Sequence, residues 1–317
     1  MKILVTGACG YKGHVLVPKL LAAGHKVVAF DIQWFGCFLA GHDNLKIVKG
    51  DVVNVDSVPL GDIDCVIHLS SVANDPCSDL DPKLTWEISA LATMQLADRA
   101  ARIGIKRFIY ASSGSVYGVK EEDQVYETLE LKPLSEYNKT KMVAERVLMS
   151  YSDVMTVQIL RPATVCGFSP RMRLDVSVNL LTMAALTKNK MTVFGGDQIR
   201  PNIHIDDITD AYLYMLDNPQ FTGIYNAGFE NISILDIAKI VQRHIDAEIE
   251  ITLSPDIRSY RINSDKLLKT GFRPKKNVEI AVIEMIENFK GGILKDHEQF
   301  HNLKWMQKTL FNKPLAS

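Results

Sequence analysis

The chain lacks the features that would mark it for export, for a membrane or for nucleic acid. Its 317 residues include five cysteines, Cys9, Cys37, Cys65, Cys77 and Cys166, an odd number without paired spacing. Several sit in apolar, strand-like runs, which excludes a disulfide framework and points to buried, reduced thiols. No uncharged apolar run approaches the roughly 20 residues that a membrane span needs. The N-terminus enters a strand directly, with neither a basic n-region nor an apolar h-region, so no secretory leader and a cytoplasmic location are expected. Neither sign of charge prevails: 36 Lys and Arg face 37 Asp and Glu, a formal net charge of −1. That balance argues against a nucleic-acid surface working by bulk electrostatics. No internal repeat and no linker rich in Pro, Gly or Ser divides the chain, whose length allows one large or two modest domains.

What is present starts at residue 2. Lys2-Ile3-Leu4-Val5 is an apolar run of strand length, followed by Thr6-Gly7-Ala8-Cys9-Gly10-Tyr11-Lys12-Gly13 and an amphipathic helical pattern from His14 to Ala23. Gly24 is placed to stop that helix, and Lys26 to Phe30 reads as a second strand closing on Asp31. This is a βαβ unit with glycines at its first turn, spaced GxxGxxG, where the backbone can approach a pyrophosphate at the helix N-terminus. Glycines at a strand-to-helix turn often serve the turn alone. Asp31, eighteen residues past Gly13, adds an acceptor for the hydroxyls of an adenosine ribose. A carboxylate there repels a 2′-phosphate, so the expected cofactor is NAD rather than NADP.

Strand and helix then alternate. A long loop over 32–44, carrying Trp34 and Phe35, leads to a strand at Leu45–Lys49 and to Asp51-Val52, where the adenine is expected against the sheet edge. Cys65–Leu69 is apolar enough to be buried on both faces, as parallel strands are. Leu80–Ile103 reads as one long helix stopped by Gly104, followed by a strand at Lys106–Ala111, a helix at Ser135–Ser152 and a strand at Met155–Leu160. Past Arg161-Pro162 the rhythm changes. Helical patterns at Val176–Lys188, Ile234–His244 and Val278–Phe289 are interleaved with short strands at Met191–Phe194, Asn202–Ile205 and Ile224–Asn226. The expected fold is α/β: a Rossmann-type doubly wound parallel sheet with a smaller, mixed C-terminal substrate domain over its carboxyl edge. The expected division is a cofactor domain at 1–165, rejoined by about 202–228, a mainly substrate-binding domain at 166–290 and a helical tail at 291–317.

The chemistry gathers after the fifth strand. Ala111-Ser112-Ser113-Gly114-Ser115-Val116-Tyr117-Gly118 lies at the carboxyl edge of the sheet, and Tyr137-Asn138-Lys139-Thr140-Lys141 follows on a helix. Tyr137 and Lys141, four apart, share a helix face. A phenol of pKa near 10 is a poor base at neutral pH, and a nearby ammonium is expected to favour its phenolate. Tyr137 then serves proton transfer with a sugar hydroxyl that Ser113 holds. By itself the YxxxK spacing is commonly a solvated helix face. Its place after a glycine-rich turn and a serine-rich strand end favours chemistry.

Together TGACGYKG, Asp31, GDV at 50–52, ASSGSVYG and YNKTK resemble the extended short-chain dehydrogenase/reductases, specifically the NAD-dependent nucleotide-sugar epimerase/dehydratase family of the UDP-glucose 4-epimerase kind. The resemblance continues through LRPATVCG, FGGDQIRPNIHIDD, GIYNAG and DIRSYRINSDKL, about nine-tenths of the chain. It implies Tyr137 as acid/base, Lys141 on the nicotinamide ribose and Ser113 on the reacting hydroxyl. It further implies a cofactor set of Gly7, Gly10, Tyr11, Lys12, Gly13, Asp31, Asp51, Val52, Leu69, Ser70, Ser71, Tyr137, Lys141, Pro162 and Val165. Asn179, Arg200 and Arg258 match positions that hold the nucleotide diphosphate, a task that suits the planar guanidinium fork. The implied partner is a nucleotide-diphosphate sugar, and the implied assembly is a homodimer through the helices at Leu80–Ile103 and Ser135–Ser152.

Three departures stand out. Dehydratases of the family carry an Asp-Glu pair after the residue matching Ser113; Gly114-Ser115 stands here, which disfavours 4,6-dehydration. Ser89 and Ala92 replace the usual Asn and Gly of the long helix, and Cys166 replaces a common Tyr. Ser169-Pro-Arg-Met-Arg-Leu-Asp175 resembles a segment of GDP-heptose-modifying members. No metal is expected. His297-Glu-Gln-Phe-His301 spells a zinc-protease motif on a C-terminal helix, but no His, Asp, Glu or Cys follows it as a third ligand. His204 with Asp206-Asp207 is better read as a helix start with acids in its first turn, and His68 as a hydrogen-bonded core group. The expected activity is epimerisation through transient oxidation at sugar C4. The alternatives are a one-way 4-dehydrogenase or 4-ketoreductase and, outside enzymes, an NAD-binding regulatory protein.

Overall fold

The computed structural model describes residues 1–253 and 259–311. In chain order its strands are β1 (Lys2–Thr6), β2 (Lys26–Asp31), β3 (Leu45–Lys49), β4 (Cys65–His68), β5 (Arg107–Ala111), β6 (Thr156–Pro162), β7 (Thr164–Cys166), β8 (Lys190–Phe194), β9 (Ile199–His204), β10 (Gly223–Ala227), β11 (Glu230–Ser233) and β12 (Glu248–Thr252). Seven of them form one all-parallel sheet in the order β10-β6-β5-β4-β1-β2-β3. The order reverses between β1 and β4, and ligands of such sheets bind outside the carboxyl ends at that switch. A mixed sheet β11-β9-β7 and a parallel pair β12-β8 complete the strands.

Alternation along the strands explains why both faces are covered. Ile3, Val5, Val27, Ala29, Cys65, Ile67 and Ile109 point to one face, where Leu16, Val17 and Leu20 of the Gly13–Ala22 helix meet them. Ile208, Ala211 and Met215 of the Ile205–Asp217 helix share that layer. Leu4, Val28, Phe30, Val66, Phe108 and Tyr110 point the other way, onto Leu96 and Ala100 of Ala92–Arg102 and Ala144 and Leu148 of Glu136–Met149. A separate core of Val178, Leu181, Val193, Ile237, Val241 and Val282 holds the second half together. Among the described residues no helix is long and apolar enough to cross a membrane.

The helix expected at Leu80–Ile103 is interrupted. Pro82–Trp86 and Ala92–Arg102 are α-helical, and Glu87–Leu91 between them is one widened π turn. Its cause is side-chain competition for the backbone. The Thr93 hydroxyl donates to the Ser89 carbonyl at 2.9 Å, and Ser89 Oγ accepts from Val72 N at 3.2 Å. The end of the chain departs too. Glu298–Phe300 is a 3₁₀ turn and Asn302–Thr309 an α-helix, so the zinc-like motif straddles two elements rather than lying on one helix. His301 Nε2 pairs with Asp296 Oδ1 at 2.7 Å, and the His297 ring packs on Phe300.

His68 is the satisfied core histidine that its apolar strand suggested. Its Nε2 donates to Thr93 Oγ at 2.9 Å, because that hydroxyl already donates to Ser89, and its Nδ1 accepts from Thr6 Oγ at 2.6 Å. Burial pushes the ring down to about 3. The folded ring stays neutral while the unfolded chain protonates below about 6.5. Its stabilising contribution is therefore complete above that pH and declines by ~1.4 kcal/mol per unit as pH falls toward 3. Urea titrations at pH 7.5, 6 and 5 should show stability falling along this slope. The slope should flatten in His68→Gln; an equal slope in that variant would assign the loss to other groups.

Candidate active site

At the switch point β1 runs into the turn Gly7–Gly13. Gly7 has φ +69°, and a Cβ there would lie 2.7 Å from the Ser70 amide nitrogen at the end of β4. A Cβ on Gly13 would meet Ala8 O at 2.2 Å, so this position holds helix and strand together. Lys12 occupies the N-cap position without a side-chain hydrogen bond. His14 N and Val15 N already donate to Gly10 O and Lys12 O, so of the first-turn amides Gly13 N alone has no backbone acceptor among the described residues and is left to an anion. Asp31 closes β2, with Oδ2 accepting from Cys9 N at 2.9 Å and Oδ1 from Gln33 N at 2.6 Å. The carboxylate is thereby fixed in place. Its burial raises it above the ordinary carboxylate range despite those bonds.

These groups border a cavity of about 370 Å³ that runs along the carboxyl edge of the sheet. Every residue named from the sequence for catalysis and for the cofactor lines it, and so does Arg200. One named substrate residue does not join them. Asn179 is fully buried: its Oδ1 accepts from Gly167 N, and its Nδ2 donates to the Tyr11 hydroxyl and to Arg173 O. Its amide braces the cavity wall from behind. Arg258 lies outside the described residues. Tyr11 also belongs to this brace, its hydroxyl donating to Gly167 O at 2.6 Å.

Ser113, Tyr137 and Lys141 meet at one end. Ser113 caps the 3₁₀ turn Gly114–Tyr117, its Oγ 2.7 Å from Ser115 Oγ, and Ser115 Oγ in turn donates to Asn138 Oδ1. Of the two positions after Ser113, Gly114 has no side chain and Ser115 offers a hydroxyl, not a carboxyl. Lys141 donates to Ala111 O at 2.8 Å and lies 5.9 Å from the Tyr137 ring centre. Burial, helped by the charge of Lys12, holds Lys141 well below the usual ammonium range, and burial brings Lys12 to about 8. The four-residue spacing predicted a phenol lowered by Lys141. The structure raises it instead. Burial outweighs the hydrogen bond from Ser113 and the nearby charge of Arg173, and Asp75 adds to the rise.

Several residues in the wall or behind it escaped the reading of the sequence. Asp75 lines the cavity, its Oδ1 accepting from Ser135 Oγ at 2.7 Å. Arg173 is there too, held bidentately by Asp175 at 3.0 and 3.1 Å. Glu145 follows Lys141 by four residues, a spacing that could have revealed it on the same face. It forms a buried ion pair with Arg161 at 2.6 Å. Only one described group of three side chains is close enough to share a metal, His204 with Asp206 and Glu284. Lys276 occupies it, 2.6 Å from Asp206 and paired also with Glu284, while Lys19 lies 2.9 Å from Asp206. His204 is the N-cap of Ile205–Asp217, accepting from Asp206 N at 3.0 Å.

The model of the NAD dependent epimerase/dehydratase family matches residues 3–228. UDP-glucuronic acid decarboxylase 1 of Arabidopsis thaliana is 26% identical over 318 residues, covering 94% of this chain and 72% of that protein. The structure of UDP-glucuronic acid 4-epimerase from Bacillus cereus, in complex with UDP-glucuronic acid and NAD, is 28% identical. It superposes with a TM-score of 0.81 over 92% of this chain and 99% of that one. MoeE5, in complex with UDP-glucuronic acid and NAD, is 26% identical with a TM-score of 0.82, over 92% of this chain and all of that one.

A fixed carboxylate at the end of β2 gives a direct test of cofactor choice. Fluorescence titration should find NAD(H) bound much more tightly than NADP(H), and Asp31→Ala should narrow that gap by about tenfold or more, the equivalent of ~1.4 kcal/mol. Equal affinities in the unaltered protein would show that Asp31 does not face the ribose.

Proposed function

From a chain that belongs to the NAD dependent epimerase/dehydratase family, we propose a nucleotide-sugar epimerase acting through transient oxidation at sugar C4. Family membership makes NAD the cofactor. The observation that carries the finer reading is that Ser113, Tyr137 and Lys141 border the same cavity as the glycine-rich turn, while Ser115 supplies a hydroxyl where elimination of water needs an acid. The residues fit the cofactor: Gly7 admits the backbone approach, the uncapped helix start suits a pyrophosphate, and Asp31 suits a ribose.

In this reading Ser113 holds the C4 hydroxyl and Tyr137 takes its proton as the carbon is oxidised. Bound NAD supplies the hydride acceptor and donor, together with a positive charge in the same cavity that favours the phenolate. Lys141, one turn from Tyr137 on the same face, would hold the nicotinamide ribose. The keto sugar then turns within the pocket and presents its other face, and Tyr137 returns the proton to the C4 oxygen. Arg200 lines the cavity where a diphosphate would lie. A net cation count in the wall suits that dianion.

The test supplies UDP-, GDP-, CDP- and dTDP-sugars without added cofactor and follows both the C4 epimer and the NADH absorbance. The epimer should form without lasting NADH. Stoichiometric NADH with a 4-keto product would leave the one-way dehydrogenase in its place. Tyr137→Phe should fold and bind NAD normally while turnover falls by roughly 10²–10⁴; near-normal turnover would remove Tyr137 from the mechanism.

We further propose a homodimer through the two helical segments beside the site. Trp86, Leu91 and Met94 from one, with Val143 and Val147 from the other, line an apolar hollow, and Leu91 and Met94 are 42% and 41% exposed. An exposed apolar patch of this kind marks an interface. Sedimentation should give a dimer for the unaltered protein and a monomer for Leu91→Glu combined with Met94→Glu. A monomer before substitution would rule the interface out.

A further inference from the structure

Among the described residues Arg171 is a cation without a carboxylate in hydrogen-bond reach, 2% exposed, in the wall of the cofactor cavity. Its guanidinium lies 4.1 Å above the Phe35 ring, Nη2 donates to Asn302 Oδ1 at 2.6 Å, and Nη1 donates to Met172 O at 3.1 Å. Its Nε has no acceptor among the described residues. Burial and the charge of Arg173 both disfavour its ionised form, and the charges of Asp175 and Asp31 compensate only through space. A buried charge with neutral partners is costly and asks for a ligand that favours it.

Its position says which ligand. Arg171, Phe35 and Asn302 border the cavity where Asp31 and Gly50–Val52 form the ribose and adenine end. The partner that aims the guanidinium comes from the end of the chain. Asn302 is 3% exposed and starts the Asn302–Thr309 helix. That helix is anchored on the 32–38 loop by Trp305, whose Nε1 donates to Trp34 O at 2.8 Å, and by Met306, buried in the core beneath. We propose that Arg171, aimed by Asn302, recognises the adenosine half of NAD, so that the C-terminal segment is part of the cofactor site. A planar guanidinium stacks on a purine and donates to its ring nitrogens or ribose oxygens. The inference rests on the NAD site and not on which sugar reaction follows.

Calorimetry on the full chain, freed of nucleotide, tests it with NAD, ADP-ribose, NADP and nicotinamide mononucleotide as separate probes. Arg171→Ala should weaken NAD and ADP-ribose by the same factor, roughly 10- to 30-fold, and leave nicotinamide mononucleotide unchanged. Asn302→Ala, which keeps the cation and removes its clamp, should weaken the same two probes by a smaller factor with an unaltered melting temperature of the ligand-free protein. ADP-ribose binding at the original affinity in either variant overturns the proposal. A loss confined to NADP does so as well, since Arg171 would then serve a 2′-phosphate. So does an equal loss of nicotinamide mononucleotide, which would mean collapse of the whole cavity. Because no sugar is turned over, failure of the epimerase reading leaves these outcomes untouched.

Discussion

The end of the cavity where Ser113, Tyr137 and Lys141 meet hangs on one buried ion pair. Arg161, at the end of β6, grips Glu145 through Nε and Nη2 at 2.8 and 2.6 Å, and Ser112 donates to the same carboxylate. Glu145 lies one turn beyond Lys141 and two beyond Tyr137 on the same helix face, so the pair fixes how that helix sits against the strand ends. Arg161 also donates to the Tyr117 hydroxyl at 2.6 Å, which in turn donates to Asn226 Oδ1 at 2.8 Å on β10. One guanidinium therefore ties together the Ser113 turn, the Tyr137 helix and the last strand of the sheet. Removing either partner would leave an uncompensated charge in the interior, at a cost of roughly 3–5 kcal/mol. The pair is best understood as a device of position: hydrophobic side chains of the same volume could fill the space but could not set three elements in register.

Electrostatics next to this anchor explain the strained titrations. Two ammonium groups, Lys12 and Lys141, face one cavity, and each is pushed toward its neutral form, by burial first and, for Lys141, by the other's charge. An anion with several oxygens reverses both shifts at once, because an opposite charge at short range outweighs desolvation. The raised phenol of Tyr137 belongs to the same balance. Burial holds the phenol toward its acid form, and among the described residues the charge of Arg173 is the one cation that opposes it. On the proposed mechanism, ligand binding and activation of Tyr137 would be one electrostatic event.

Local patterns made much of this legible. The β1–helix–β2 unit, Gly7 and Gly13, the Asp31 carboxylate and the Tyr137/Lys141 face are all encoded within a few turns of chain, and the alternation of apolar residues on β1, β2, β4 and β5 reports burial on both faces. What stayed hidden depends on distant segments. Asn179 offered an amide of the right type for a phosphate, yet Gly167, Tyr11 and Arg173 occupy it, and only the fold brings them there. The π turn at Glu87–Leu91 arises because Ser89 and Thr93 bond to the loop after β4 and to His68, contacts that a helical period cannot show. The Tyr137 pKa followed burial, a property of the whole pocket, rather than the nearest cation in sequence. Arg171 was visible only as part of a motif, because the residue that aims it lies 131 positions away.

The two ends of the cavity differ in what closes them, and the difference bears on the reaction. At the adenosine end the wall is built from the 32–38 loop, locked by Trp305 and packed on Arg171, so opening it would break a hydrogen bond, a stacked cation and core contacts of Met306 together. At the sugar end the wall includes Val176, Arg200 and Tyr260, contributed by the mixed half of the chain rather than by the parallel sheet. On the proposed reaction the sugar must enter, turn over and leave in every cycle, while the cofactor ends each cycle in the state in which it began. A site with its tightest packing around adenosine suits that division, since binding energy placed there is not undone at each turnover. A dehydrogenase that exchanges its cofactor would have to break the same contacts every cycle, which would make cofactor release the slow step.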